Sequence, residues 1–432
     1  MTLLSENSSK LLGIKSIRRE ERSYFHSYYF FKLTMESASL LSSTFLILYV
    51  LEYLSFIDLG LLLSVQFIVQ TSLDYPSGNL GDYIGHKWVV FIALISYCTA
   101  FIILYYATVL LTFIFAYFIF GIAKSQESGA LETWFEINYS FIAEDSDPKK
   151  ETYKLFLGRL KLSTQLLGGI TIFLGGYMAS TISRKSVFVF QIFFYLILAL
   201  LSLKVLNQIE KSKNDSKTSY KEIFQTGISF ILKNNGVKLY IVGGIFFSMT
   251  WYIWTELVLI PMYFGYTGSD TLAGLFRMVA YFAGIFLVPI GIKLSLKIDK
   301  RKIPEMRLAH GLMFFGSLLI TFIIFPLNKG LNVIPVLIYL VIAFMFPILD
   351  LSSDILEREL YLVMIPNEIR NSYYSLLSTL IAFCSVPGLM IGGFIIENFG
   401  FSTIMVLILV LLTVSIIFFK IGMRKMTLAV PN

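Results

Sequence analysis

Apolar residues run along this chain in stretches of about twenty or more, separated by short polar breaks. Twelve such runs fall at about 27–52, 59–82, 88–106, 109–137, 155–181, 186–206, 239–264, 270–296, 306–327, 331–356, 370–397 and 400–422. A helix of about twenty apolar residues crosses the roughly 30 Å of bilayer hydrocarbon, whereas a barrel strand needs only about ten with alternating polarity. The pattern therefore predicts an all-α integral membrane protein with twelve transmembrane helices. The longest break, 207–238, opens on the charged stretch Lys211–Lys217 and continues through Tyr220–Leu232. There Ile223, Phe224, Ile228, Phe230 and Ile231 are spaced to form one face of a surface helix. This break divides the chain six plus six. A polar segment occupies 1–26, six spans lie in 27–206, a linker occupies 207–238, six spans lie in 239–422, and a tail occupies 423–432.

Loop charge sets the orientation. With the N-terminus placed in the cytoplasm, the loops on the far side hold only Arg184, Lys185 and Lys329. Most of the remaining Lys and Arg outside the spans fall on the cytoplasmic side, among them Lys149, Lys150, Lys300, Arg301, Lys302, Arg424 and Lys425. The positive-inside rule thus predicts a multi-pass protein of the cell membrane with both termini cytoplasmic. A shift of one span would break the alternation.

Composition agrees. Of the 432 residues 56% are hydrophobic and 15% charged, with a mean hydropathy of +0.74, against about 25% charged in soluble domains. The net charge of +7 sits in the basic loops, where topology and lipid headgroups explain it, so no nucleic-acid partner is expected. The N-terminus is polar and mixed in charge, and no signal peptide is expected. Cys98 and Cys384 lie inside apolar runs and read as buried thiols. His26, His86 and His310 are far apart, with no metal-binding spacing. No metal or cofactor is expected. No phosphate-binding loop of the Gly-x-x-x-x-Gly-Lys-Ser/Thr type occurs, so ATP hydrolysis is not expected of this chain.

The second span ends in Asp74-Tyr-Pro-Ser-Gly-Asn-Leu-Gly-Asp-Tyr-Ile-Gly-His-Lys87. Gly78, Leu80, Asp82, Gly85 and Lys87 match the pattern Gly-x-Leu-Ala-Asp-Arg-x-Gly-Arg-Lys. This resembles the loop between helices 2 and 3 of the major facilitator superfamily. Tyr83 and His86 depart from it. Three shorter stretches resemble an exporter-like branch: Asp74-x-Pro76-Ser77-Gly78, Glu127-Ser-Gly-Ala-Leu-Glu132-Thr-Trp134, and Pro366-x-x-x-Arg370-Asn-Ser-x-x-Ser375. Span 11, with Pro387-Gly388 and Gly392-Gly393, resembles an antiporter signature with its first Gly and Pro exchanged. In drug antiporters that signature belongs to span 5, which here lacks the proline. The resemblance implies two pseudo-symmetric six-helix bundles that rock about a midplane site, and secondary transport of a small molecule. Proton-coupled export of an amphipathic or cationic compound is the expected function. Proton-coupled nutrient uptake, or a non-transporting membrane scaffold or sensor, stands as the alternative. A monomer is expected.

Charges inside spans cost several kcal/mol unless paired or wet, so each is a functional candidate. Glu36 on span 1, Asp74 on span 2, and Glu127 and Glu132 on span 4 are candidates for proton coupling, since a partly dry cavity favours the protonated form of a carboxylate. Glu132 has a structural alternative, an interhelix ion pair with Arg159 or Lys161. Lys124 and Glu127, three residues apart, are spaced to pair. Gln66, Gln70 and Asp74 recur every four residues and share one helix face, which must turn inward. Asp74 and Asp82 serve equally well to hold the helix 2–3 loop against a neighbouring helix. Gly78, Asp82, Gly85, Lys87 and Arg370 are candidates for gating or loop anchoring. Glu256 and Arg277 lie at matching depths in spans 7 and 8 and are placed to pair, as an outer gate or as contacts to a charged substrate group. Trp251 and Trp254 beside Glu256 form an aromatic cluster suited to a cation. The substrate-cavity candidates are therefore Gln66, Gln70, Lys124, Trp251, Trp254, Glu256 and Arg277. Setting Pro148 on Pro366 places Glu132 opposite Asp350, a faint trace of an internal repeat.

Overall fold

The computed structural model describes residues 12, 14, 22–127, 130–143, 147, 151–206, 229, 231–327, 331–364 and 370–427. The side chains of 75–80, 82–83, 140–143, 358–359, 361–364, 370–378 and 427 fall outside that description. So does 207–228, which holds most of the expected linker.

The described residues are helical almost throughout, with no strand among them. We number the crossings α1 (Arg22–Leu51), α2 (Phe56–Ile84), α3 (His86–Tyr106), α4 (Leu110–Tyr139), α5 (Glu151–Thr181), α6 (Arg184–Val205), α7 (Asn235–Thr267), α8 (Asp270–Ser295), α9 (Lys300–Ile324) and α10 (Val333–Glu357). A last helix, Arg370–Thr427, is continuous except at Gly400, where φ is 79°. Gly243 of α7 lies against Ser415 and Phe419, and its neighbour Gly244 against Ile381. Residues 381 and 415 would stand roughly 50 Å apart on one straight helix. The chain therefore reverses at Gly400, giving α11 and α12 and a twelve-helix bundle.

Small residues set the closest helix crossings, as expected where lipid supplies no hydrophobic drive between helices. A Cβ on Gly60 of α2 would sit 2.6 Å from the Leu389 carbonyl oxygen of α11, and one on Gly393 of α11 2.2 Å from that of Phe56. On the other side of the bundle, a Cβ on Gly175 of α5 would fall 1.7 Å from the Leu41 oxygen of α1, and one on Gly176 2.2 Å from the Asp270 oxygen of α8. These crossings of α2 with α11 and of α5 with α8 join the first six helices to the last six, at the end where α1 turns into α2. The Glu397 carboxylate accepts the Phe56 amide at 2.8 Å at the same end. Gly85, the last glycine of the loop motif, has φ 93° and turns the chain from α2 into α3, a conformation other residues rarely adopt.

Two of the twelve helices are irregular. Helix α1 loses its regular pattern over Ser42–Phe45. Helix α7 contains a π-turn, Ile253–Val258, just before Pro261. These are the first helices of the two six-helix halves. Irregular backbone inside a bilayer is tolerated where it is buried in protein or borders a cavity.

Candidate functional site

Both irregular segments border one cavity of about 330 Å³. Helix α1 contributes Ser39, Ser42 and Ser43, α2 Gln66, α3 Tyr97, and α4 Tyr117 and Lys124. Tyr195 comes from α6, Thr255 and Glu256 from the π-turn of α7, and Arg277 from α8. The cavity thus lies between the halves. Its volume falls within the range of small-molecule sites, about 300–1,000 Å³.

Local structure explains this lining. At the α1 break, Ser43 and Thr44 receive the Arg277 guanidinium at 3.2 and 3.5 Å. Gln191 of α6 donates to the Ala38 carbonyl at 2.7 Å and the Ser42 hydroxyl at 3.0 Å. The Ala38 carbonyl and the Ser42 hydroxyl are thus met by Gln191 of α6, and the Ser43 and Thr44 hydroxyls by the guanidinium of α8. In α7 the π-turn widens the helix by about one residue, which brings Thr255 and Glu256 to the cavity. Among the described residues, Lys124 and Glu256 make no direct hydrogen bond or ion pair. The site therefore presents two cations and one carboxylate, with charge left for a ligand to satisfy. Its wall is aromatic: Tyr97 stacks on Tyr195 with ring centroids 4.9 Å apart at 14°, and Phe101 on Tyr195 at 5.9 Å and 14°.

Of the expected cavity residues, Gln66, Lys124, Glu256 and Arg277 meet here. Gln70 and Asp74 lie one and two turns further along α2. Trp251 and Trp254 do not line the cavity. Trp251 stacks on His310 and packs against Phe315, while Trp254 packs on Phe314 and Tyr339, inside the second half. Five and two residues from Glu256, these rings fall on the far side of α7 by helical spacing alone. Glu256 and Arg277 share the cavity without an ion pair, because Arg277 is drawn to the α1 hydroxyls. Nor does Glu127 pair with Lys124; it accepts a hydrogen bond from the Tyr97 hydroxyl.

Glu132 has a partner on another helix than expected. Lys32 of α1 reaches it at 2.6 Å and reaches Glu36 at 3.1 Å. The pairing is with neither Arg159 nor Lys161. Lys32, Glu36 and Lys161 border a second cavity of about 370 Å³, with Tyr28, Thr164, Gln165 and Tyr281. A second charged cluster joins α9 to α10. Arg307, 2% exposed, holds Glu357 at 2.8 Å and Asp354 at 3.1 Å, with its guanidinium over Phe247. His310 lies 3.5 Å from Asp350 one turn away. At the end where α1 meets α2, Arg184 makes a two-pronged pair with Asp270 at 2.8 and 2.9 Å, contacts Glu52, and lies over Phe264. Of the motif residues, Lys87 lies over the Trp88 ring, 5.9 Å from its centroid. Gly78, Asp82 and Arg370 lie in helices, and nothing is described of the Asp82 and Arg370 side chains.

Sequence reasoning missed Lys32, Tyr97, Tyr195 and the α1 serines. A signal for the last existed: Ser37, Ser39, Ser42, Ser43 and Thr44 crowd eight positions of an apolar run. The two tyrosines had none, being two among 25 Tyr in a chain that also holds 40 Phe.

The sequence profile of the Major Facilitator Superfamily matches residues 29–358. The chain belongs to that superfamily. It is therefore a membrane transporter and not an enzyme. Among solved structures, this facilitator superposes on the nucleoside transporter NupG with a TM-score of 0.71 at 10% identity, covering 96% of this chain and 100% of that one. A mutant form of NupG gives 0.73 at 11% identity, covering 94% and 98%. A bacterial homologue of the iron transporter ferroportin, in an inward-facing state, gives 0.67 at 13% identity, covering 94% and 98%. At these identities the likeness concerns the fold. No curated protein is similar enough in sequence to match the chain.

Proposed function

We propose that this facilitator is a proton-coupled secondary transporter of a small polar solute carrying both signs of charge. It works by alternating access, as a monomer in the cell membrane, with both termini in the cytoplasm. The observation that carries this reading is the cavity between the halves, where Lys124, Arg277 and Glu256 face one space of about 330 Å³. Burying charge without a partner is strongly unfavourable, so a solute with an acidic group and an amine completes the site. Two cations beside one carboxylate favour such a solute over the amphipathic or cationic compound expected from the sequence. The stretches around Asp74, Glu132 and Arg370 resemble an exporter-like branch and favour export. Solute and proton binding together, as argued below, favours uptake instead; the sign of proton movement in the assay decides between them. Lys32 between Glu36 and Glu132 supports proton coupling, since a lysine shared by two carboxylates lets either release it on protonation.

The test is reconstitution in proteoliposomes with an imposed pH gradient, screened with amino acids, simple carboxylates, quaternary amines and nucleosides. Proton movement driven by a zwitterionic compound, lost in Glu256→Gln, supports the reading. Proton movement with none of the compounds, from correctly folded protein, overturns it. The sign of the movement separates export from uptake.

A further inference from the structure

The substrate cavity and the second cavity run along the same two helices. Helix α1 lends Ser39 and Ser43 to the first, and Lys32 and Glu36 to the second. Helix α8 lends Arg277 to the first and Tyr281, one turn on, to the second. Between them runs a short line of polar groups. Tyr97 lines the substrate cavity, yet is only 3% exposed, and its hydroxyl donates to Glu127. Its ring is clamped against Tyr195, so the hydroxyl is held in place. Glu127 lies within electrostatic reach of both Lys32 and Glu132. Glu132 holds Lys32, and Lys32 opens on the second cavity. Around this line the bundle is packed with Phe25, Phe31, Phe135 and Phe156, which are buried and cannot carry a proton.

We propose that Tyr97 is the coupling residue of this transporter, reporting occupancy of the substrate cavity to the Lys32–Glu36–Glu132 triad, and that the second cavity is the port through which the proton enters and leaves. The inference rests on the proton-coupled reading above. A solute acceptor group that enters the cavity competes with Glu127 for the Tyr97 hydroxyl. Glu127 then stands in dry surroundings with no hydrogen-bond donor. It faces the charges of Lys32 and Lys124, which favour its ionised form, and of Glu132, which opposes it. The loss of the donor tips it toward protonation. The proton comes from hydronium in the second cavity by way of the triad. One O–H bond of hydronium breaks, leaving water, and one O–H bond forms on Glu127. Tyr97 keeps its own proton throughout and only changes acceptor. Solute and proton therefore bind together.

The test needs no ligand. Infrared difference spectra of the purified full chain, taken between neutral and acidic pH, read the stretching band of protonated carboxyl groups. Tyr97→Phe is expected to show an extra protonated-carboxyl band already at neutral pH, absent from the double variant Tyr97→Phe/Glu127→Gln. No new band, or a band that survives in the double variant, overturns the proposal. Glu127→Gln alone keeps an acceptor for Tyr97 and guards against misfolding of the phenylalanine variant. It is expected to lose one band from the wild-type acid difference spectrum, and an unchanged spectrum overturns the proposal equally. Proteoliposomes that fail to move protons with any compound, while these bands behave as stated, refute the transport reading and leave the Tyr97 link standing.

Discussion

Arg184→Ala should open the end of the bundle where α1 meets α2. Arg184, at the start of α6, reaches across to Asp270 at the start of α8 with both prongs of its guanidinium, and to Phe264 of α7 with its face. The Asp270 side chain is 7% exposed and that of Arg184 14%, so the substitution strands a nearly dry carboxylate. Removing one partner of a buried pair costs about 3–5 kcal/mol, and the lower figure applies at a helix end near water. About 3 kcal/mol corresponds to a roughly hundredfold shift from the closed toward the open arrangement. Glu52, 46% exposed, is the control, because an exposed pair contributes no more than about 1 kcal/mol. Spin labels at Tyr106 and Leu331, 74% and 66% exposed, report the separation of the halves at that end by pulsed electron–electron resonance. A second, longer distance should become populated in Arg184→Ala, weakly in Arg184→Lys and hardly in Glu52→Gln. An unchanged distribution in Arg184→Ala would refute the latch.

Further outcomes follow from the same contacts. Gly176→Val places a side chain where the Asp270 carbonyl already lies 2.2 Å from the Cβ position, and should lengthen the same label distance by parting α5 from α8. Glu132→Gln weakens the hold on Lys32 and should abolish pH-driven flux while solute exchange persists; flux against the solute gradient in this variant would sink the coupling role. Arg307→Leu leaves Glu357 and Asp354 without their cation and should cost about 3 kcal/mol in denaturant unfolding of the purified protein. Asp147, in the loop before α5, is pushed up by burial. The Tyr139 hydroxyl and the Tyr153 and Glu151 amides outweigh this and hold it below the usual carboxylate value. Its contribution is therefore present above the ordinary carboxylate value near 3.9 and is lost as pH falls below it. Hydrogen exchange at the start of α5 should accelerate in acid, and Asp147→Asn should remove that dependence.

The helices were legible because bilayer thickness demands long apolar runs, and nothing else in a sequence looks like them. The turn at Gly85 was legible from its motif. The site was legible in part, since a lone charge in an apolar run must face something polar: Lys124, Glu256 and Arg277 were found that way. Their partners were not, because pairing across helices depends on azimuth and register. Lys32 lies a hundred residues from Glu132, and nothing local marks the two as neighbours. Trp251 and Trp254 lie five and two residues from Glu256, spacings that do not share a helix face, so nearness in sequence put them in the cavity where periodicity would not.

Alternating exposure of the cavity is the most direct thing to measure. Ser43, on its wall at the α1 break, is replaced by cysteine in a chain whose Cys98 and Cys384 are removed. A membrane-impermeant thiol reagent is then applied to each face of sealed vesicles in turn. Two hinged halves predict labelling from both faces, with the Arg184→Ala background shifting it toward the face where α1 meets α2. Labelling from neither face, or from one face alone under every condition, would contradict a cavity opened alternately to the two sides.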